Sequence, residues 1–199
     1  MQIVFDINET LLDLAPLDDV LGGPDVRTRW FDLVIHTALV VTASGDYRDF
    51  AEIAGHCARA VAPGSDVSRL GATLRSLPPH PDVEPALARL REQGHRLVAL
   101  GNSPRAVIEA QVAGLGFDVI HSAEEAGALK PSPKAYALLD RGDEPAVMVA
   151  AHDWDVAGAK AAGLRTAFVA RDGRIPLPGQ PDPDWTVTDL TELARELRS

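Results

Sequence analysis

The chain has 199 residues, of which 46% are hydrophobic and 24% are charged, and its formal net charge is -10. These values are ordinary for a globular protein with a sizeable core, and an acidic chain without a basic patch argues against a nucleic-acid partner. The single cysteine, Cys57, excludes an internal disulfide and a Cys-rich metal site, and its small apolar neighbours predict a core position. No basic segment followed by an apolar stretch opens the chain, and no apolar run approaches about 18 residues. We therefore expect a cytoplasmic protein that makes no contact with membranes.

The first predicted element is a short strand, Ile3-Val4-Phe5, whose β-branched and aromatic residues are typical of a buried strand. Asp6 follows it, and α/β sheets bind their ligands at the carboxyl ends of their strands. A carboxylate is costly to bury unless it is paired or used. Asp6 is therefore either a functional group or a cap of the following turn.

Residues 13–78 contain no convincing strand. Apolar positions recur at helical spacing in residues 27–41 and 47–61, which Gly45-Asp46 separates, and in residues 67–77, which end at Pro78-Pro79. An all-helical segment is therefore predicted between the first strand and the rest of the sheet.

From Asp82 onward, predicted helices and strands alternate. The predicted strands are residues 95–100, 119–122, 146–151, 165–170 and 185–187. The predicted helices are residues 83–93, 104–115, 133–139, 155–162 and 188–197, with Pro104 in the first turn of its helix. The Pro/Gly-rich residues 173–183 are predicted to form a surface loop. This alternation indicates a parallel sheet with helices on both faces.

Polar residues occur at or just beyond four of the predicted strand ends. They are Asp6 to Thr10, Gly101-Asn102-Ser103, Lys130 with Tyr136, and residues 151–155. Because the carboxyl ends of parallel strands line one crevice, these groups are expected to converge. A carboxylate nucleophile, a hydroxyl or amide, a lysine and a second carboxylate form a complete set for covalent catalysis.

The order of these motifs resembles the haloacid dehalogenase superfamily, and within it the chain is most similar to the hydrolytic L-2-haloacid dehalogenases (type II). The matching stretches are FDINETLLD, GDYRDF, LGNSP, KPSPKAY and VAAHDWDVAGA. The resemblance implies an α/β fold in which a Rossmann-like parallel sheet forms a core domain of residues 1–13 and 79–199. It further implies an all-helical cap domain of residues 14–78, and a homodimer.

The same resemblance implies hydrolysis of a small 2-haloacid, an organic acid, to the 2-hydroxy acid, with no metal or other cofactor. Asp6 would displace the halide with inversion, forming an ester that water then hydrolyses. Lys130 would hold the Asp6 carboxylate, and Asp155 would position or activate the water. Thr10 would support the nucleophile loop, and Tyr136 would bond near the nucleophile.

Substrate contacts follow from the resemblance as well. A cap arginine binds near the leaving halogen in this family, and both Arg27 and Arg29 are candidates. Phe50 matches a pocket aromatic residue, and Asn102 matches an amide that binds the substrate carboxylate. Trp154 would form an apolar wall.

Four positions depart from the patterns of the superfamily. Asn8 stands where its phosphatases carry an acid that protonates the leaving oxygen, and where its dehalogenases carry a tyrosine; an amide cannot act as a general acid. Ala151 stands where the phosphatases carry a magnesium ligand. His152 replaces an asparagine of the same motif and would restore polarity or carry positive charge. Gly101 replaces a Ser or Thr that binds the anionic group of the substrate.

Asn8 and Ala151 both point away from phosphoryl transfer, because a halide leaves without protonation and without a metal ion. Two other functions stay open from the sequence. One is a magnesium-dependent phosphatase acting on a small phosphorylated metabolite. The other is a catalytically weak member of the superfamily that serves as a binding protein.

Overall fold

A computed structural model of the chain describes residues 1–140 and 145–197. Within this part of the chain, six parallel strands form one sheet in the order β3-β2-β1-β4-β5-β6. The strands are β1 (Gln2–Phe5), β2 (Arg96–Gly101), β3 (Val119–Ser122), β4 (Ala146–Ala150), β5 (Arg165–Val169) and β6 (Trp185–Val187). This is the strand order of Rossmann-type folds, so the predicted α/β fold class is confirmed.

The central strand β1 places Asp6 at the carboxyl edge of the sheet. All four residues of β1 are buried, as expected for a parallel strand that is covered on both faces. Phe5 pairs with Ala99 of β2 and with Val149 of β4. The order in which successive strands are added to the sheet reverses between β1 and β4, and ligands of open α/β sheets bind at such a point.

Four helices lie between β1 and the rest of the sheet, in a segment that we call the helical insertion (residues 14–78). They are α1 (Asp18–Leu21), α2 (Pro24–Ala43), α3 (Phe50–Val61) and α4 (Val67–Leu74). The Trp30 indole N–H of α2 donates to the Ala54 carbonyl of α3 at 2.9 Å. Cys57 is buried between these helices beside Thr37, so its predicted core position is confirmed.

The two ends of the helical insertion lie side by side. The Asp13 N–H donates to the Pro78 carbonyl at 2.9 Å, and the His80 N–H donates to the Leu11 carbonyl at 2.8 Å. The chain therefore leaves the sheet region and returns to it at one place. The division into a core domain and a cap domain stays a prediction, and residues 141–144 and 198–199 of the predicted core range lie outside the described residues.

The remaining helices cover the sheet, with small differences from the predicted bounds. They are α5 (Val83–Glu92), α6 (Arg105–Gln111), α7 (Pro133–Tyr136), α8 (Asp153–Ala161) and α9 (Leu190–Glu196). The predicted first-turn position of Pro104 is wrong: its ψ of 146° is extended, so it precedes α6. The last helix starts at Leu190 because the Asp189 carboxylate accepts from the Glu192 N–H at 2.7 Å and caps it. No helix in residues 1–140 or 145–197 is long and apolar enough to cross a membrane.

Candidate active site

Asp6 is nearly buried at the end of β1, and three side chains donate to its carboxylate. Lys130 Nζ lies 2.9 Å from Oδ1, whereas Thr10 Oγ1 lies 2.7 Å and His152 Nδ1 lies 3.0 Å from Oδ2. The Thr10 hydroxyl also accepts from the Ala151 N–H at 2.9 Å, so its own proton is directed at Asp6. The carboxylate is therefore held in one orientation from both sides.

Lys130 connects the two carboxylates predicted to take part in the chemistry. Its side chain is fully buried, and Nζ donates to Asp6, to Asp155 Oδ2 at 2.6 Å and to the Leu100 carbonyl at 2.9 Å. These three acceptors use all three protons of the ammonium group. Asn102 fixes the backbone here, because its Oδ1 accepts from the Lys130 N–H at 2.7 Å. Asn102 thus lines the space beside Asp6, but its side-chain amide holds the lysine.

Asp155 lies in the first turn of α8 and is completely buried. Its second oxygen, Oδ1, accepts from the Tyr136 hydroxyl at 2.7 Å. Tyr136 and Asp155 therefore support Lys130 from behind, and neither lines a cavity next to Asp6. This close packing requires Gly158, because a Cβ there would lie 2.4 Å from Pro131 Cβ and 2.8 Å from the Tyr136 hydroxyl.

His152 joins Asp6 to a second carboxylate that the sequence did not reveal. Its Nε2 lies 3.1 Å from Glu9 Oε2, and the same oxygen accepts from Arg174 Nη2 at 2.6 Å. The imidazole ring stacks on Trp154, with ring centroids 5.2 Å apart and planes at 20°. Phe31 of α2 covers the ring from the helical insertion at 5.6 Å. The histidine is consequently fixed between two acids and two aromatic rings.

The charges of this cluster support one another. Burial alone would raise the pKa of Asp6, but Lys130 and His152 outweigh it and hold the pKa well below its usual range. Burial would lower the pKa of His152, but its hydrogen bonds to Asp6 and Glu9 outweigh it and raise the pKa to about 9. The carboxylates of Asp155 and Asp6 likewise raise the pKa of Lys130 despite its burial. At neutral pH, Asp6 is ionised between two cations.

Two connected spaces open beside Asp6. A narrow one is lined by Asp6, His152, Trp154, Phe31, Phe50, Ile35, Ile7, Asn8, Gly101, Asn102 and Ser103. An apolar cavity of about 220 Å³ continues from it between the helical insertion and the sheet, sharing Asn8, Phe31, Phe50 and Ser103. On the other side of His152, a more open cavity of about 450 Å³ leads to the surface. The site can therefore admit a small molecule with an apolar part.

The structure brings neither candidate arginine to these cavities. Arg27 Nε pairs with Asp18 Oδ1 at 2.6 Å within the helical insertion, and Arg29 is exposed. Phe31 reaches the cavity instead. Arg29 lies about 200° around α2 from Phe31, whereas Arg27 lies on the same face but is held by Asp18. The expectation of a cap arginine at the site is therefore not met, and the cations in contact with Asp6 in the described chain are Lys130 and His152.

Several neighbours of the site were not anticipated from the sequence. They are Glu9, Phe31 and Arg174. No pattern in the sequence singled out Glu9, which lies in a turn where its φ is 59°, a conformation uncommon outside glycine. No sequence pattern pointed to Arg174 either, because it lies in a loop 165 positions along the chain from Glu9.

Gly101, which was expected to remove a donor for the substrate, packs closely against two isoleucine side chains. A Cβ at this position would lie 2.9 Å from Ile7 Cδ1 and 3.0 Å from Ile108 Cδ1. A serine would therefore displace one of these side chains. The adjacent Ser103 offers a hydroxyl to the same space.

The donors around Asp6 do not form a magnesium site. Lys130 Nζ already lies between the Asp6 and Asp155 carboxylates, and Ala151 has no side-chain oxygen. Within residues 1–140 and 145–197, no group of three or more His, Cys, Asp and Glu side chains is arranged to hold a metal ion.

Comparisons with known proteins place the chain in a family and a fold. The sequence model of the haloacid dehalogenase-like hydrolases matches residues 2–163. The haloacetate dehalogenase H-2 of Moraxella sp. is 30% identical, over 93% of this chain and 92% of its own length. A phosphoglycolate phosphatase of Cupriavidus necator is 36% identical, but over 45% of this chain and 42% of its own. The L-2-haloacid dehalogenase of Xanthobacter autotrophicus with covalently bound chloropropionic acid shares the fold, with a TM-score of 0.89 at 22% identity, over 100% of this chain and 98% of that one.

Proposed function

The chain belongs to the haloacid dehalogenase-like hydrolases, and from this premise we propose that it hydrolyses the carbon–halogen bond of a small 2-haloacid. Asp6 is the nucleophile, the product is the 2-hydroxy acid, and no metal ion takes part. The similarity to a haloacetate dehalogenase along nearly the whole chain supports this substrate class.

The observation that carries the proposal is an ionised Asp6 without an acid at the position two residues on, where one would protonate a leaving oxygen. The side chain two residues on, Asn8, accepts from Gln111 Nε2 at 2.9 Å and cannot protonate anything. A phosphate ester or alkoxide leaving group needs that proton, whereas a halide leaves without it. The missing acid therefore favours carbon–halogen cleavage.

The cation arrangement supports the same chemistry. Lys130 takes the position between Asp6 and Asp155 that a divalent cation would need, and both oxygens of Asp155 are engaged. Magnesium prefers several hard oxygen ligands in octahedral geometry. The residues present therefore do not fit this metal, and no step depends on it.

In the first step, the halogen-bearing carbon of the substrate enters the narrow space opposite Asp6, and the rest of the substrate lies in the adjoining apolar cavity. The Ser103 hydroxyl receives only a 3.5 Å contact from Asn8, so its own proton is available to the substrate carboxylate. A carboxylate oxygen of Asp6 attacks the carbon, the carbon–halogen bond breaks with inversion, and an ester and a free halide form. Phe31, Phe50 and Trp154 exclude water and strengthen the attack by the carboxylate.

In the second step, water attacks the carbonyl carbon of the Asp6 ester. The bond from that carbon to the ester oxygen breaks, and this oxygen leaves as the hydroxyl of the product. The water oxygen stays on Asp6, and one proton is released when the carboxyl ionises again. The small organic acid substrate and the homodimer are part of this proposal, and analytical ultracentrifugation of the purified chain measures the latter.

Halide release from 2-chloro- or 2-bromopropanoate tests the function, with and without a chelator. We expect release that the chelator does not change, and none from the Asp6→Asn variant. A single turnover in oxygen-18 water, followed by mass spectrometry of the peptide containing Asp6, should place the label in the Asp6 carboxylate.

A magnesium-dependent phosphatase is the second candidate, because a phosphoglycolate phosphatase shares 36% identity over part of the chain. Magnesium-dependent hydrolysis of p-nitrophenyl phosphate without halide release would replace our proposal with this one.

A further inference from the structure

The two oxygens of the Asp6 carboxylate have different surroundings. Among the described residues, Oδ2 accepts from both Thr10 and His152, whereas Oδ1 accepts from Lys130 alone. Each carboxylate oxygen has two lone-pair sites in the carboxylate plane. Oδ2 therefore has both sites occupied, and Oδ1 keeps one free to attack a carbon.

This difference determines the structure of the ester. Attack by Oδ1 makes Oδ1 the ester oxygen, so Oδ2 becomes the carbonyl oxygen. When water adds to the ester carbon, the negative charge of the tetrahedral intermediate develops on Oδ2. Thr10 Oγ1 and His152 Nδ1 are already directed at this atom, at 2.7 and 3.0 Å.

The proton on His152 Nδ1 is held in place from the other side of the ring. An ionised carboxylate only accepts hydrogen bonds, and Nε2 faces Glu9 at 3.1 Å while Nδ1 faces Asp6. Both nitrogens must therefore donate, which makes the ring an imidazolium. After Asp6 is esterified its charge is lost, but Glu9 still pairs with Nε2, and Arg174 keeps Glu9 ionised.

We propose that His152 is a catalytic residue of the second step, and that with Thr10 it forms the oxyanion hole for the Asp6 ester. This inference rests on the proposed function. Glu9 is the positioning residue that keeps the ring in place and charged.

The contact acts on the transition state more than on the ester. In the ester, Oδ2 is a neutral carbonyl oxygen, whereas in the tetrahedral intermediate it carries a full negative charge beside a buried cation. The step balances without a further reactant. Water adds to the carbonyl carbon, and the bond from that carbon to Oδ1 breaks. One water proton ends on the product hydroxyl, and the other is released as Asp6 ionises. His152 keeps its protons throughout.

Rapid-quench kinetics with 2-bromopropanoate separate the two steps. We expect His152→Ala to slow ester hydrolysis roughly 100- to 1,000-fold, as loss of one oxyanion-hole donor does in other hydrolases. We expect His152→Asn, which keeps a neutral donor, to lose roughly 10- to 100-fold. Bromide release in the first turnover should stay unchanged or become faster, because the carboxylate loses a cation that stabilises it. The variants should therefore accumulate the ester at Asp6, visible by mass spectrometry.

Two further variants make the test specific. Glu9→Gln should slow hydrolysis in the same direction by a smaller factor, and it keeps the test available if His152→Ala fails to fold. His56→Asn is the matched control, because His56 is exposed on α3 and should change neither step.

Equal slowing of both steps in the His152 and Glu9 variants, or slowing of bromide release alone, would overturn the inference. It would assign His152 to holding the nucleophile, and the proposed function would stand. No bromide release from the wild-type chain with any short 2-haloacid would instead overturn the proposed function, and the inference with it.

Discussion

The two walls of the cleft around Asp6 are built from different kinds of residue. On the sheet side, His152 and Glu9 line the cleft. Behind Asp6, the buried Lys130 and Asp155 carry further charges that pair with each other and with Asp6. The wall on the side of the helical insertion contributes mainly aromatic and aliphatic side chains, such as Phe31 and Phe50. The chemistry is therefore located on the rigid sheet, and the insertion shapes and dries the space above it.

This contrast has an energetic basis. A buried charge is tolerated only if it is paired and hydrogen-bonded, so removal of one member leaves the others unpaired. An apolar wall loses contact area in proportion to what is removed. We therefore expect changes on the sheet side to abolish activity. Changes on the insertion side should reduce activity in proportion to the contact area that is lost.

The largest effect should come from Lys130→Met, because this change leaves Asp6 and Asp155 as buried carboxylates without their shared cation. We expect halide release to be lost and the free energy of unfolding to fall by about 3–5 kcal/mol, as measured in urea. Lys134→Met, an exposed change in the following helix, is the control and should match the wild type. Unfolding of the Lys130 variant at the wild-type urea midpoint would contradict the contrast.

A pH-dependent loss of stability should follow from His152. Its pKa is raised in the fold from 6.5 to about 9, so its stabilising contribution is complete below pH 6.5 and is lost as the pH rises through 9. Lys130 titrates higher still, since its own pKa is raised. Between about pH 6 and about pH 9.5, the wild type should lose about 1–3 kcal/mol more unfolding free energy than His152→Gln. Parallel losses in the two proteins would remove His152 from the charge cluster.

A smaller effect is expected from filling the apolar cavity on the insertion side. Gly71 of α4 lines this cavity, and a Cβ there would meet nothing within 4 Å. Gly71→Leu should lower kcat/KM for 2-bromohexanoate relative to 2-bromopropanoate by roughly 10-fold or more, because the longer chain loses its space. Gly71→Ala is the matched control and should leave the ratio nearly unchanged. Equal losses for both substrates would show that the substrate chain does not enter this cavity.

The smallest effect should come from the two arginines of α2. Arg27→Ala breaks a partly buried pair with Asp18, and Arg29→Ala removes an exposed charge. Such changes alter the free energy of unfolding by about 0–1 kcal/mol. Since neither arginine lines a cavity beside Asp6, kcat/KM should stay within about twofold of the wild type. A large loss of activity in either variant would restore the arginine that the family resemblance implied and would weaken the contrast between the two walls.

The parts that the sequence predicted are those with a local signal. The strand ending at Asp6 and the alternation after Asp82 gave the sheet, and the parallel strands brought Lys130 and Asp155 to Asp6 as expected. The roles assigned to these residues in the reaction stay predictions.

The parts that the sequence did not predict depend on the rotation of residues around a helix and on contacts between distant parts of the chain. Arg29 lies about 200° around α2 from Phe31 and is exposed, and Arg27 pairs with Asp18, a contact that the resemblance did not indicate. The link from His152 through Glu9 to Arg174 joins three loops that no periodicity connects. The resemblance assigned the Asn102 amide to the substrate carboxylate, whereas in the structure its oxygen accepts from the Lys130 backbone N–H.

The paired ends of the helical insertion have a consequence for how this protein can change. Backbone hydrogen bonds join residues 11–13 to residues 78–80 and form a closed mouth at the base of the helical insertion. The core therefore contacts the same residues whatever the insertion beyond them contains. The entropy of closing a loop grows only slowly with its length. Insertions of very different size can therefore be attached at this mouth at nearly constant cost to the sheet. The insertion, and with it the substrate range, can therefore be exchanged as a module while the charge cluster around Asp6 stays intact.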